Sequence, residues 1–185
     1  SVQEGVLLGE VRHGQHIRLQ AEEAPAGHLI AQQGMTLTPP HLAALASCGL
    51  EAIEVQSRPS VAILSTGSEV VTPWQPLQFG QIFNSNATAL SSALALRGIC
   101  PEVRHADDSQ VVLRNHILES TNNNDLLITT GGISVGAYDL VRSAMEEAGF
   151  DLKFHGVAVK PGKPIAFGVR GDGKIWFGLP GNPLS

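Results

Sequence analysis

From Val61 onward, short uninterrupted apolar runs alternate with segments whose apolar residues recur every three or four positions. The first are of strand length and the second have helical period. Val61-Ala62-Ile63-Leu64 predicts a strand that ends in a glycine turn at Gly67. Residues 86–97 predict a helix with Ser85 or Asn86 as cap, Leu90 and Leu94 inward, and Gly98 as the stop. A strand follows at Glu102 to Ala106. Ser109 then caps a helix in which Leu113 and Ile117 share a face, ahead of a polar turn at Asn122-Asn123-Asn124. Leu126 to Thr130 is β-branched and uncharged, which suits a strand covered on both faces. A helix from about Asp139 to Ala148 buries Leu140, Val141, Ala144 and Met145 and stops at Gly149. Leu152–Val159, Ile165–Arg170 and Lys174–Leu179 are strand-like, the last two joined by a hairpin at Gly171-Asp172-Gly173. Strands alternating with helices imply parallel crossovers. The fold class is therefore α/β, an open, mostly parallel sheet with helices on both faces.

The first 58 residues have a different texture. Residues 1–37 are polar, with glycines at Gly14, Gly27 and Gly34 and no sustained helical period, which predicts short strands and turns. A short helix follows, with Thr38 as N-cap, Pro39 and Pro40 in its first turn, Leu42, Leu45 and Ala46 as its buried stripe, and Gly49 as its stop. Ala52 to Val55 suggests a brief strand, and Ser57-Arg58-Pro59 a linker. The expected organisation is a partial, β-rich N-terminal or linker domain with one short helix over 1–58, and an α/β domain over 59–185. The chain stops at Pro183-Leu184-Ser185, directly after a glycine–proline turn, which predicts a segment of a longer protein with a further C-terminal domain.

Composition narrows the function classes. Hydrophobic residues make up 43 % and aromatics only 5 %, so the core is aliphatic. A net charge of −5 with 12 Lys and Arg is a poor footprint for nucleic acid, whose binding releases counterions from many phosphate contacts. No apolar run reaches the roughly 18 residues of a membrane span, and no basic-then-apolar leader is present. Cys48 and Cys100 form neither a CxxC pair nor a disulfide framework. The expectation is a cytoplasmic protein with no membrane or nucleic-acid partner. The scattered histidines carry no HExxH, which argues against zinc. Cys100 and His155 are expected to pack or hydrogen-bond. Glycine is in excess, at 20 of 185 residues against an average share of about 7 %, so its placement matters.

In open α/β sheets ligands bind beyond the carboxyl ends of the strands. There the sequence places Ser65-Thr66-Gly67-Ser68-Glu69, then Asp107-Asp108, then Thr129-Thr130-Gly131-Gly132-Ile133-Ser134-Val135-Gly136. Lys160-Pro161-Gly162-Lys163-Pro164 and Pro180-Gly181-Asn182-Pro183 follow the later strands. The Gly131–Gly136 turn opens a helix, where unpaired N–H groups favour phosphate or another oxyanion; the alternative is a plain tight turn. Lys160 and Lys163 sit on a stiff turn suited to a second anionic group, or are simply solvated. Glu69, Asp107, Asp108 and Asp139 are hard oxygen ligands for Mg²⁺, which takes one or two carboxylates plus substrate phosphates. For Asp108 and Asp139 the competing role is an acid favoured by a helix dipole.

Gly132-Ile133-Ser134-Val135-Gly136 also satisfies GxSxG, the nucleophile elbow of α/β-hydrolases, and Asp151 and His155 follow in the order Ser, Asp, His. Against it, His155 lies only four residues after Asp151, within or at the edge of a strand, and no HGGG-type loop precedes the motif.

At these loops the sequence resembles the molybdopterin molybdenumtransferase family, of the MoeA and gephyrin E-domain type. The matching stretches are Val61 to Glu69, Gly80-Gln81-Ile82 with Ser85-Asn86, Asp107-Asp108, Gly131 to Gly136 with Asp139, Lys160 to Pro164, and Gly178 to Pro183. Gly14 to Leu50 resembles the stretch ahead of that domain less specifically. The resemblance implies insertion of molybdate into adenylylated molybdopterin, with Mg²⁺, to give molybdenum cofactor and AMP. Glu69, Asp108 and Asp139 match family acids that handle metal and substrate, and Lys160 and Lys163 match lysines near the anionic ligand. With Asp107, these acids make up the expected metal set. Thr66, Gly67, Ser68, Gly131, Gly132, Ser134, Gly136, Pro180, Gly181 and Asn182 are the expected ligand-binding positions. A homodimer of the full-length protein and an upstream molybdopterin adenylyltransferase are the implied partners. Other readings are a non-catalytic molybdopterin-binding or scaffolding module and an adenylyltransferase-like domain. Ser68 and Asn84 depart from the family pattern, which commonly has Asp at both places.

Overall fold

The structure, a computed structural model, describes residues 2–3, 6–7, 9–10, 12–132 and 137–184, with the side chains of residues 2, 3, 6, 7 and 137–139 excepted. The chain divides into two compact units, Ser1–Gln56 and Ser57–Ser185. In the first, β1 (Val2–Gln3) and β2 (Val6–Leu7) pair antiparallel, and α1 spans Pro39–Ser47. Thr38 is the N-cap, and its backbone N–H donates to His41 Nδ1 at 3.1 Å, which satisfies one orphan group at the helix start. The expected buried stripe of α1 is absent: Leu42 and Ala46 are exposed and Leu45 half-buried. Residues 12–37 run as turns and irregular chain, and 51–60 contain no strand, so the strand expected at Ala52–Val55 is not formed. Alternation alone does not make a strand where no neighbouring edge supplies a ladder.

The second unit holds β3 (Val61–Thr66), β4 (Val70–Val71), β5 (Ile82–Phe83), α2 (Ser85–Ala95), β6 (Glu102–Ala106), α3 (Gln110–Asn123), β7 (Leu126–Thr130), α4 (Ala137–Glu147), β8 (Phe150–His155), β9 (Ala166–Arg170) and β10 (Ile175–Leu179). Six strands form one sheet in the order β6-β3-β7-β10-β9-β8. The pairs β6/β3, β3/β7 and β7/β10 are parallel, and β9 runs antiparallel between β10 and β8. The tail strands are shorter than their sequence suggests, because residues 156–165 form a loop. Similarly, Asn122 and Asn123 complete α3 rather than making a turn. Cations from the β9–β10 hairpin explain that extension: Lys174 Nζ donates to the carbonyls of Thr121 and Asn122 at 2.8 and 2.7 Å, and Arg170 Nη2 donates to Thr121 at 3.1 Å. They satisfy the last carbonyls of the helix.

Residues of β3 alternate between the two faces of the sheet. Ala62 and Leu64 meet Leu113 and Ile117 of α3 and Val141 and Met145 of α4, whereas Val61 and Ile63 meet Ala87, Leu90 and Leu94 of α2. All six β3 residues are buried, as a central strand covered on both sides requires. Trp176 is the largest buried side chain, 1 % exposed, and its indole N–H donates to Thr129 Oγ1 at 3.0 Å. Gly168 and Gly178 make room for it, since a Cβ at either would lie 3.0–3.1 Å from the ring.

The amino end of the sheet is fixed by polar contacts. Asp125 accepts from the Ser60 backbone N–H and hydroxyl, both at 2.7 Å, and the hydroxyl with the backbone N–H holds its carboxyl below the ordinary range. Arg104, assisted by the Asn124 amide, lowers the pKa of Glu102 in the same way, and Arg170 lowers that of Asp172. No helix among the described residues is long and apolar enough to cross a membrane.

Candidate functional site

The central three strands have the order second, first, third (β6, β3, β7), so the crossovers diverge between β3 and β7. The carboxyl ends of those two strands therefore open a crevice. Gly67 follows β3 with φ +127°, a value open to few L-residues, and a Cβ there would lie 2.7 Å from Glu69 Oε2. Glu69 is thus folded over its own turn. Gly67 N–H donates to the Ala106 carbonyl at 3.2 Å, and the Gly67 carbonyl lies 2.9 Å from His105 Nε2, which ties this loop to β6. Ser68 closes the same link, since its N–H and hydroxyl both donate to Asp108 Oδ2, at 3.2 and 2.7 Å.

Gly131 follows β7 with φ +83°, and a Cβ there would sit 2.7 Å from the Thr66 carbonyl oxygen. Gly181, after β10, packs against it so closely that its own Cβ would be 3.3 Å from Gly131 Cα. Three backbones thus meet at the cleft floor, which explains the absence of side chains. Asn84, rather than Ser85 or Asn86, caps α2: its Oδ1 accepts from Ala87 N–H at 3.0 Å. Asn86 Nδ2 donates to the Gly181 carbonyl at 2.8 Å and joins α2 to the loop after β10.

These loops enclose a cleft of about 920 Å³, lined by Ser65, Thr66, Gly67, Glu69, Val70, Ile82, Phe83, Asn84, Ser85, Asn86, Asp108, Thr130, Gly131, Gly132, Pro164, Pro180, Gly181, Asn182 and Pro183. Its size suits a small-molecule ligand. Among the described lining residues the only ionisable side chains are Glu69 and Asp108.

The structure brings Thr66, Gly67, Glu69, Asp108, Gly131, Gly132, Pro180, Gly181 and Asn182 together. Ser68 stands behind them, holding Asp108. Asp107 does not line the cleft; its Oδ1 accepts from Ser109 N–H at 3.0 Å at the start of α3, the helix-terminal use of an acid. Lys160 and Lys163 are exposed on the loop after β8, at the same sheet edge, and only Pro164 of that loop reaches the wall. Ser134 and Gly136 lie outside the described residues, and Asp139 falls in the first turn of α4, where only its backbone is described. Among the described residues no group of three or more His, Cys, Asp or Glu side chains gathers around one point.

The hydrolase arrangement is not built. Asp151 pairs in register with Val169, level with the start of β7, whereas His155 pairs with Ala166, level with its end. About 13 Å of strand separates them, and Asp151 is ion-paired with Lys153. His155 and Cys100 are both exposed, and His155 keeps an interaction partner.

A family model described as "Probable molybdopterin binding domain" matches residues 62–185. The chain belongs to this family. Within it, a molybdopterin molybdenumtransferase of Haemophilus influenzae is 36 % identical over 173 residues, covering 92 % of this chain and 42 % of that protein. The molybdenum cofactor synthesis protein cinnamon of Drosophila melanogaster is 42 % identical over 132 residues, covering 71 % and 22 %. Among solved structures, the molybdopterin biosynthesis MoeA protein of Pyrococcus horikoshii superposes with a TM-score of 0.72 at 36 % identity, covering 86 % of this chain and 39 % of that one. The chain spans about two-fifths of the length of the first curated relatives it matches.

For this molybdopterin-binding family member, the cleft residues that neither the strand-end loops nor the matching stretches of the sequence had included are Val70, Phe83 and Asn84, and Ile82, Ser85 and Asn86 had been marked only by the resemblance. The signal for Asn84 to Asn86 was present, since a polar cap directly before an apolar helical stripe marks a helix amino end. What was missing was the direction of α2, which the β4–β5 pairing sets: Ile82 N–H donates to the Glu69 carbonyl at 2.8 Å and Asn84 N–H to that of Val71 at 2.9 Å.

Proposed function

We propose that this chain is the central portion of a molybdopterin molybdenumtransferase, which inserts molybdate into adenylylated molybdopterin and releases AMP. The observation that carries the reading is the cleft at the β3–β7 divergence, lined by Glu69 and Asp108 in a chain whose relatives bear that enzyme's name. The donor set fits Mg²⁺: two carboxylates at the cleft, without a protein cage, leave the remaining positions to water and substrate phosphates. When bound there, Mg²⁺ would offset phosphoanhydride charge and polarise a phosphoryl oxygen.

The chain's own groups bind and orient. Glu69 and Asp108 hold the cation side of the ligand, and Ser68 fixes the Asp108 carboxylate by two hydrogen bonds. Gly67, Gly131 and Gly181 let backbone approach the ligand without intervening side chains. In this reading Lys160 and Lys163 meet anionic groups from the rim. In the same reading Ser134, Gly136 and Asp139 contribute to holding this ligand. The full-length protein acts as a cytoplasmic homodimer that receives its substrate from an adenylyltransferase reaction. The test is AMP release from adenylylated molybdopterin, with and without molybdate and Mg²⁺, beside Glu69→Gln. Molybdate-dependent release that the variant loses is expected. Binding without release would favour a ligand-holding module, and absence of binding would overturn the assignment.

A further inference from the structure

The two walls of the cleft differ in charge. One carries Glu69 and Asp108, while the other is the amino end of α2, whose first turn contains no acidic residue. Asn84 decides what this second wall offers. It lines the cleft yet is only 8 % exposed. Its Oδ1 accepts from the Ala87 N–H at 3.0 Å and from the Ser65 hydroxyl at 3.2 Å. A backbone N–H can only donate, so the atom facing Ala87 is the oxygen and the amide NH₂ is turned away from it. Thr130 Oγ1 donates to Ser65 Oγ at 3.2 Å, which gives the chain of hydrogen bonds one direction, ending on Asn84 Oδ1. Among the described residues Nδ2 has no hydrogen-bond partner. Two polarised N–H bonds of a nine-tenths buried side chain are therefore left to the cleft. Beside them are the N–H groups of Ser85 and Asn86, for which helix geometry supplies no intrahelical acceptor.

We propose that Asn84 and the amino end of α2 form an anion subsite that takes a phosphate group of the ligand, opposite the carboxylate wall. The donors and the helix dipole favour negative charge here, as Glu69 and Asp108 favour a cation on the other side. Asn84 thereby fixes which way round a ligand with a phosphate and a cation-bound group lies in the cleft. An aspartate at this position would still cap α2 and accept from Ser65, but would face the cleft with a negatively charged oxygen and reverse the sign of the subsite. Naming the anion as phosphate rests on the function proposed above, whereas the subsite itself rests on geometry.

The test is a ¹⁵N NMR titration of the whole chain with inorganic phosphate at constant ionic strength. Saturable shifts are expected at the Asn84 side-chain NH₂ and the Ser85 and Asn86 amides. Asn84→Asp should weaken the affinity at least about tenfold while the spectrum keeps its dispersion. Asn84→Ser, which caps α2 through a hydroxyl but has no amide, should also weaken it. Shifts confined to other residues, or an unchanged affinity in folded Asn84→Asp, would overturn the proposal. Phosphate binding at α2 without any binding of adenylylated molybdopterin would support the subsite and refute the transferase reading. Molybdopterin binding with no phosphate shifts at α2 would do the reverse.

Discussion

Replacing Gly131 by alanine tests the close backbone packing at the cleft floor. Two costs can be separated. The backbone at φ +83° lies in the left-handed region, which costs an L-residue about 1–2 kcal/mol. The new Cβ would also lie 2.7 Å from the carbonyl oxygen of Thr66, and that oxygen cannot retreat, because β3 is hydrogen-bonded to β6 on one side and β7 on the other. Relief by moving the loop is obstructed by Gly181, so the site behaves as an overpacked core position, at about 1–3 kcal/mol. The sum is about 2–5 kcal/mol, a large share of a stability that for most domains is about 5–15 kcal/mol. Gly173→Ala provides the reference: its φ of +88° is nearly the same, but a Cβ there would meet nothing within 4 Å, so only the backbone cost applies. Urea unfolding followed by tryptophan emission reads both variants, since Trp176 is buried and Trp74, 98 % exposed, already reports solvent. The expected difference between the variants is about 1–3 kcal/mol. Equal losses in Gly131→Ala and Gly173→Ala would refute the packing argument.

Trp176→Phe should destabilise by about 2–4 kcal/mol, because it leaves the buried Thr129 hydroxyl without its donor and a void between Gly168 and Gly178; Trp74→Phe should change the unfolding free energy by less than about 0.5 kcal/mol, both variants being read by urea unfolding followed by circular dichroism. Asp125, whose folded-state carboxyl lies below its ordinary range, contributes stability that is complete above the unfolded value and is lost as pH falls through the lower one. Asp125→Asn should therefore lose less stability than the parent between about pH 4 and pH 3, measured by urea midpoints; parallel slopes would contradict the Ser60 contact. On the proposed function, Ser68→Ala should weaken Mg²⁺-dependent AMP release by about tenfold, the lower range for removing an outer partner of a metal-binding group, with little change in the unfolding midpoint.

The parallel part of the fold was legible because β3 and β7 are uninterrupted apolar runs, and only a strand covered on both faces needs that pattern. Leu113 with Ile117, and Val141 with Met145, were legible for the complementary reason: a helix on a sheet buries one stripe. In residues 1–56 the helix was legible from Thr38 and the two prolines after it, but its buried stripe and the strand at Ala52–Val55 are not formed, and Leu42 and Ile53 remain exposed within that unit. In the site, the glycines could be read because φ and close approach leave no substitute at Gly67 or Gly131. The resemblance singled out Asp108 over Asp107, but their residue type and spacing did not show which of the two reaches the cleft. In the chain after β6 the two side chains find different partners, Asp107 the Ser109 N–H and Asp108 the Ser68 N–H and hydroxyl beside the cleft. Nor did the sequence show that Asn84 faces the cleft, because that follows from the β4–β5 pairing, a long-range contact.

The most direct measurement of the central claim, that the crevice at the β3–β7 divergence holds the pterin ligand, is hydrogen–deuterium exchange of the chain with and without adenylylated molybdopterin. Slowed exchange at residues 65–69, 84–87, 131–132 and 180–182 together, abolished by Glu69→Gln, is the expected result. Protection confined to residues 12–56, or equal with and without the ligand across the cleft loops, would contradict it.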